Sequence, residues 1–128
     1  MAQVLVIDDD EAIRTLIREA LEAIGHGVRE AANGKQGMRV FREHGADLVI
    51  TNIFMPEQEG IETITELQEE EFPPPIVAIS GGGTVGHAEV LEEAKLFGAT
   101  ATLAKPFSLA DLHRTVAAVL DGGDQATP

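Results

Sequence analysis

Cysteine is absent, so neither a disulfide framework nor thiolate chemistry is available, and the fold must rest on its core in any redox compartment. Trp and Tyr are also absent and aromatics make up 4% of the chain, which leaves little stacking surface for a flavin. Basic residues are scarce: 9 Lys and Arg stand against 22 Asp and Glu, a formal net charge of -13. Such a balance repels phosphate backbones and anionic lipid at long range, so direct nucleic-acid binding and membrane-surface binding are not expected. Long apolar runs are missing too. Met1-Ala2-Gln3 has no basic flank, and the short run after it meets three aspartates, so neither a signal peptide nor a membrane span is expected and the predicted location is cytoplasmic. The 128 residues suit one domain with a sizeable core.

What is present is a regular alternation. Gln3 to Ile7 is nearly all apolar and reads as a strand buried on both faces of a parallel sheet. Ile13, Leu16, Ile17, Ala20, Leu21 and Ile24 recur at helical spacing opposite Arg14, Arg18, Glu19 and Glu22, and this helix stops near Gly25. The cycle repeats with a weak, polar strand at Val28 to Ala32, a helix over Gly34 to His44 and a strongly apolar strand at Asp47 to Thr51. A helix over Gly60 to Glu70 and an apolar strand at Ile76 to Ile79 flank Pro73-Pro74-Pro75, which punctuates their connection. Helical spacing follows over Thr84 to Phe97, a strand over Ala99 to Ala104, and a last helix over Ser108 to Leu120, whose Leu109, Leu112, Val116 and Val119 share a face and whose Ser108 and Asp111 form a capping box. Five strands alternating with five helices predict an α/β, doubly wound parallel sheet of order 2-1-3-4-5, helices on both faces, with the weak Val28 strand at an edge. Residues 1–121 form the domain, and 122–128 read as a tail or the start of a linker.

In such sheets ligands bind outside the carboxyl ends of the strands. Those ends carry Asp8, Asp9 and Asp10 after the first strand, Asn52 after the third, Ser80 after the fourth and Lys105 after the fifth. Asp10 reads as the cap of the following helix. Asp8 and Asp9 could cap as well, but paired carboxylates at a strand end repel one another unless a hard cation such as Mg²⁺ neutralises them. Lys105 is either a surface lysine leading into a turn at Pro106, or an ammonium at a buried strand end that needs an anionic partner. Ser80 either starts a flexible loop at Gly81-Gly82-Gly83 or donates its hydroxyl to a bound phosphoryl oxygen.

The segments Val4-Leu5-Val6-Ile7-Asp8-Asp9-Asp10, Asp47-Leu48-Val49-Ile50-Thr51-Asn52-Ile53-Phe54-Met55-Pro56, Ala78-Ile79-Ser80 and Leu103-Ala104-Lys105-Pro106-Phe107 resemble the four signature stretches of response-regulator receiver domains of two-component signalling. The likeness runs from about Val4 to Leu120 and implies the flavodoxin-like fold of a chemotaxis regulator. It also implies that Asp8, Asp9, the residue at 52 and the Phe54 carbonyl hold Mg²⁺, that Ser80 and Lys105 contact the phosphoryl group, and that the Lys105-Pro106 peptide is cis. The implied partners are a histidine kinase or phosphotransfer domain, a downstream effector domain or protein, and a second copy of the chain as a homodimer. The sequence departs from the family's pattern at two positions. Asn52 stands where the third-strand aspartate takes the phosphoryl group, and a carboxamide is a poor nucleophile, so acceptance at this position should fail and the chain is not expected to act as an enzyme. This is either a substitution that holds the unphosphorylated state or a natural pseudo-receiver that signals without phosphate. Thr102 occupies the switch position that usually carries an aromatic ring.

Two other classes remain. Asp8 and Asp10 fit the nucleophile motif of haloacid-dehalogenase-like phosphatases, although Ala12 stands where that motif has Thr or Val. A flavodoxin-type binding module shares the architecture but lacks its aromatic platform here. His26, His44, His87 and His113 lack metal-ligand spacing and read as surface residues, and Glu69-Glu70-Glu71 as a solvated helix end.

Overall fold

β1 (Gln3–Ile7) is buried at four of its five residues, and its position explains why, because it lies between two parallel neighbours inside the sheet. The computed structural model describes residues 2–53, 60–80 and 94–122. Along them β1 is followed by α1 (Glu11–Glu22), β2 (Gly27–Ala31), α2 (Gly34–His44), β3 (Leu48–Asn52), α3 (Gly60–Gln68), β4 (Ile76–Ser80), β5 (Ala101–Ala104) and α4 (Leu109–Leu120), with residues 94–97 also helical. The strands form one parallel sheet of order β2-β1-β3-β4-β5. Order, direction and the exposed edge at β2 agree with the expectation, and the strand limits shift by one or two residues. The expected helix over Thr84 to Phe97 falls outside the described residues except for its last turn, and so does most of the expected tail.

The two-residue period of the strands divides the core. Val4, Val6, Ile50, Val77, Ile79 and Leu103 pack against Ile17 and Leu21 of α1 and Leu112, Val116 and Val119 of α4. Leu5, Ile7, Val49, Ile76 and Ala78 face the other way, onto Met38 and Phe41 of α2 and Ile64 and Leu67 of α3. Because both sides of every central strand are covered, those strands read as unbroken apolar runs rather than as alternating ones. Two expected core faces are narrower than the spacing indicated. Leu16 and Leu109 are nearly half exposed, because the apolar stripe of each helix turns past them. Ile24 is half exposed because it lies beyond the end of α1.

The helix ends follow the sequence. Asp10 caps α1, accepting from the backbone N–H of Ala12 at 2.9 Å and of Ile13 at 3.4 Å. Gly25 takes φ 97° just past α1, a left-handed turn that a side chain would strain. Ser108 and Asp111 make the reciprocal capping box of α4. Among the described residues no helix is long and apolar enough to cross a membrane.

Candidate functional site

The carboxyl ends of β1, β3, β4 and β5 meet at one edge of the sheet, and each ends in a polar residue where its apolar run stops. Asp8 is 1% exposed. Its backbone N–H extends the ladder to the Ala31 carbonyl at 3.1 Å, and its Oδ1 accepts from the Asp10 N–H at 2.9 Å. Its Oδ2 accepts from Lys105 Nζ at 3.2 Å. Burial pushes the Asp8 carboxyl above its ordinary range, with Asp9 adding to the rise, while the Asp10 N–H and the Lys105 ammonium pull it partly back. Lys105 is placed by its own backbone: its N–H donates to the Ser80 carbonyl at 2.9 Å, joining the ends of β5 and β4. The peptide to Pro106 is cis, as expected.

Asn52 is the last residue of β3 and is 6% exposed. Its Nδ2 donates to Asp9 Oδ1 at 3.3 Å, bringing the end of β3 onto the exposed neighbour of Asp8. Ser80 is fully buried, and its hydroxyl makes no hydrogen bond among the described residues. The fold therefore brings together Asp8, Asp9, Asn52, Ser80 and Lys105. Thr102 lies within β5, half-buried and in register with Ala78. Phe54 lies outside the described residues, as do Met55 and Pro56.

The donors suit a hard cation. Two carboxylates and an amide oxygen are all-oxygen ligands, and Mg²⁺ is commonly held by one or two carboxylates while it keeps several waters. Among the described residues no cluster of three or more His, Cys, Asp or Glu is placed to hold a metal, and this set of two acids differs from the closed nitrogen and sulfur cages of structural zinc. The raised Asp8 carboxyl shows the cost of burying negative charge there, a cost that a divalent cation would offset.

Two positions at this edge escape a reading of spacing alone. Gly60 opens α3 against the end of β3: its N–H donates to the Ile53 carbonyl at 2.7 Å, and a Cβ added there would lie 2.3 Å from the Asn52 carbonyl oxygen. Arg14, expected on the solvent face of α1, donates from Nη1 to the Asp8 carbonyl at 2.7 Å. The available signal was an arginine one turn after the acidic cluster, with no acid three or four residues beyond it, and a lone acid, Glu30, on the weak strand. Two histidines also depart from expectation. His26 Nδ1 accepts from the Ala2 N–H at 3.0 Å, and His113 Nε2 lies 3.2 Å from the Ala20 carbonyl, so both are half-buried structural groups. His44 is exposed and His87 lies outside the described residues.

A parallel 2-1-3-4-5 sheet with an acidic pair, an amide, a hydroxyl and a lysine at its carboxyl edge defines an α/β module of the flavodoxin-like class. The chain belongs to the response regulator receiver domain family, whose model matches residues 4–117. It is 33% identical over 118 residues to the chemotaxis protein CheY of Halobacterium salinarum, covering 92% of this chain and 96% of that one. Over 120 residues it is 34% identical to the DNA-binding transcriptional regulator NtrC of Azospirillum brasilense, covering 94% of this chain and 24% of the regulator. Among solved structures, NtrX of Brucella abortus superposes with a TM-score of 0.88 at 27% identity, over 94% of this chain and 27% of that one. A response regulator receiver domain protein of Clostridium thermocellum superposes at 0.86 and 28%, over 95% and 96%.

Proposed function

We propose that this chain is a two-component receiver module whose pocket is held in its unphosphorylated form because its acceptor position is Asn52. The observation that carries the reading is Asn52 itself, buried at the end of β3 and bonded to Asp9, where the family's acceptor carboxylate belongs. An amide oxygen there has delocalised lone pairs and no charge, and so is not a competent nucleophile toward a phosphohistidine or a small phosphodonor. The other residues such a module needs have candidates in this chain. Asp8, Asp9, the Asn52 oxygen and the Phe54 carbonyl would hold Mg²⁺, which when bound neutralises phosphoryl oxygens. Lys105 supplies a fixed ammonium beside Asp8 and Ser80 a buried hydroxyl for the same anion, and Thr102 occupies the switch position without an aromatic ring. The partners are a histidine kinase or phosphotransfer domain on the input side and an effector domain or protein on the output side.

The test is incubation with Mg²⁺ and acetyl phosphate, read by intact mass and peptide mapping. The parent should carry no base-labile phosphoryl group at residue 52, and Asn52→Asp should acquire one. Failure of the aspartate variant under conditions that label a competent receiver would sink the intact-pocket reading.

A second reading has its own support. The Asn52–Asp9 and Lys105–Asp8 contacts pair the amide N–H and the ammonium within the pocket without a phosphoryl group, as a phosphate-independent interaction module would require. Partner affinity that is the same for Asn52 and Asn52→Asp treated with beryllofluoride would favour this pseudo-receiver over a receiver locked off by substitution.

A further inference from the structure

The backbone of Asp8 is held at both its N–H and its carbonyl by β2, and the second hold passes through a side chain of α1. Its N–H donates to the Ala31 carbonyl at 3.1 Å. Its carbonyl accepts from Arg14 Nη1 at 2.7 Å, and the same guanidinium donates through Nε to Glu30 Oε1 at 3.1 Å. Arg18 Nη1 donates to the other oxygen of Glu30, so both carboxylate oxygens are engaged. The Arg14 and Glu30 side chains are 15% and 24% exposed, which limits the screening and mobility that weaken surface pairs.

A planar guanidinium gripped at one end by a carboxylate holds its remaining N–H groups in fixed directions. Here one of them fixes the plane of the Asp8–Asp9 peptide, and that plane sets where the Asp9 side chain leaves the backbone. We infer that Arg14, braced by Glu30, is a positioning residue that aims the Asp8–Asp9 turn for its cation; the inference rests on the proposed Mg²⁺ site. Arg14 touches no cation itself, and its charge opposes one. The two effects therefore predict opposite signs. By Coulomb's law alone, removing a positive charge near the site would tighten Mg²⁺ binding, whereas losing the brace would loosen it.

The experiment is Mg²⁺ titration of the full chain, followed by calorimetry and backbone amide shifts, with Arg14→Gln, Arg14→Lys and Arg18→Gln alongside the parent. Groups that orient metal ligands typically change affinity by 10- to 100-fold, so Arg14→Gln should weaken binding by about tenfold. Arg14→Lys, which keeps the charge and loses the fork, should weaken it as well. Arg18→Gln removes an equal charge but no contact with Asp8, and should leave affinity within about twofold or slightly tighter. Equal or tighter binding by Arg14→Gln would overturn the inference. A second arm is independent of the metal. In chelator, the amides of Asp9 and Asp10 should exchange faster in both Arg14 variants by more than about threefold, with Val6 in the central strand unchanged. If the parent binds no Mg²⁺ the metal reading falls, and unchanged exchange at Asp9 and Asp10 would then remove the positioning role too.

Discussion

Residue 52 is one amide among carboxylates, and its neutrality has a thermodynamic side as well as a chemical one. Asp8 is already raised by burial, and Asn52→Asp would add a third carboxylate to the same edge. A carboxyl whose folded pKa exceeds its unfolded value contributes stability that is complete below the unfolded value and is lost as pH rises through the folded one. The variant should therefore unfold in urea more easily than the parent at neutral pH in chelator, by on the order of 1 kcal/mol per pKa unit of added crowding. The gap should close toward pH ~4 and on saturation with Mg²⁺. A variant as stable as the parent at neutral pH without metal would mean that residue 52 and Asp8 do not share a field. Gly60 carries a steric counterpart. Its missing Cβ faces backbone, 2.3 Å from the Asn52 carbonyl oxygen and 2.5 Å from the Ile53 Cα, and neither can swing aside. Gly60→Ala should cost about 1–3 kcal/mol in chemical denaturation, with amide shifts concentrated at Asn52 and Ile53. The strand-end residues were legible in the sequence because each interrupts an apolar run with a polar group that burial would penalise. Gly60 and Arg14 were not, because a glycine opening a helix and an arginine on a charged face look ordinary until the chain has folded back on them.

At the scale of elements, α1 is tied to the edge strand β2 by charge. Glu30 on β2 receives Arg14 and Arg18 from successive turns of α1. Burial pushes the Glu30 carboxyl up, but the hydrogen bonds and charges of the two arginines outweigh it and hold the group below its ordinary value. A lowered carboxylate contributes stability present above the unfolded pKa and lost as pH falls through the folded one. Glu30→Gln should accordingly destabilise the domain by about 1 kcal/mol at neutral pH. The parent should converge on the variant when thermal unfolding is followed below pH ~4. A constant gap from neutral to acid pH would show that the side chain acts by packing alone. These ties also explain why β2 was the least legible strand. Its mixed sequence, Gly27–Ala31, has one fully buried residue, so hydrophobic pattern says little, and its place is set by ladder bonds to β1 and by Glu30. The narrowed faces of α1 and α4 have the reverse cause: spacing identifies a stripe, while its width depends on how closely the neighbouring helix approaches.

For the molecule as a whole, a formal charge of -13 makes compaction sensitive to any cation, so a specific site must be separated from screening. Mg²⁺ at about 100 times its dissociation constant should add roughly 2.7 kcal/mol to the unfolding free energy, beyond NaCl at equal ionic strength. Asp9→Asn should reduce the response to that of the salt control. A parent that responds equally to Mg²⁺ and to matched NaCl would leave no place for a specific ion. Sheet order was legible because a two-sided parallel core writes itself as apolar runs separated by amphipathic helices, and the parallel doubly wound arrangement has few ways to connect them. The division of the core between the two faces has a consequence in time. A chain made from its N-terminus has β2, β1, β3 and α2 available once residue 53 has been added, and α3 soon covers much of one face, to which Ala94 and Ala99 add later. The opposite face keeps Val77, Ile79 and Leu103 bare until Leu112, Val116 and Val119 arrive in the last helix. Synthesis therefore leaves a half-clad intermediate that a chaperone can grip, and a stop codon placed before Leu109 would make that transient exposure permanent.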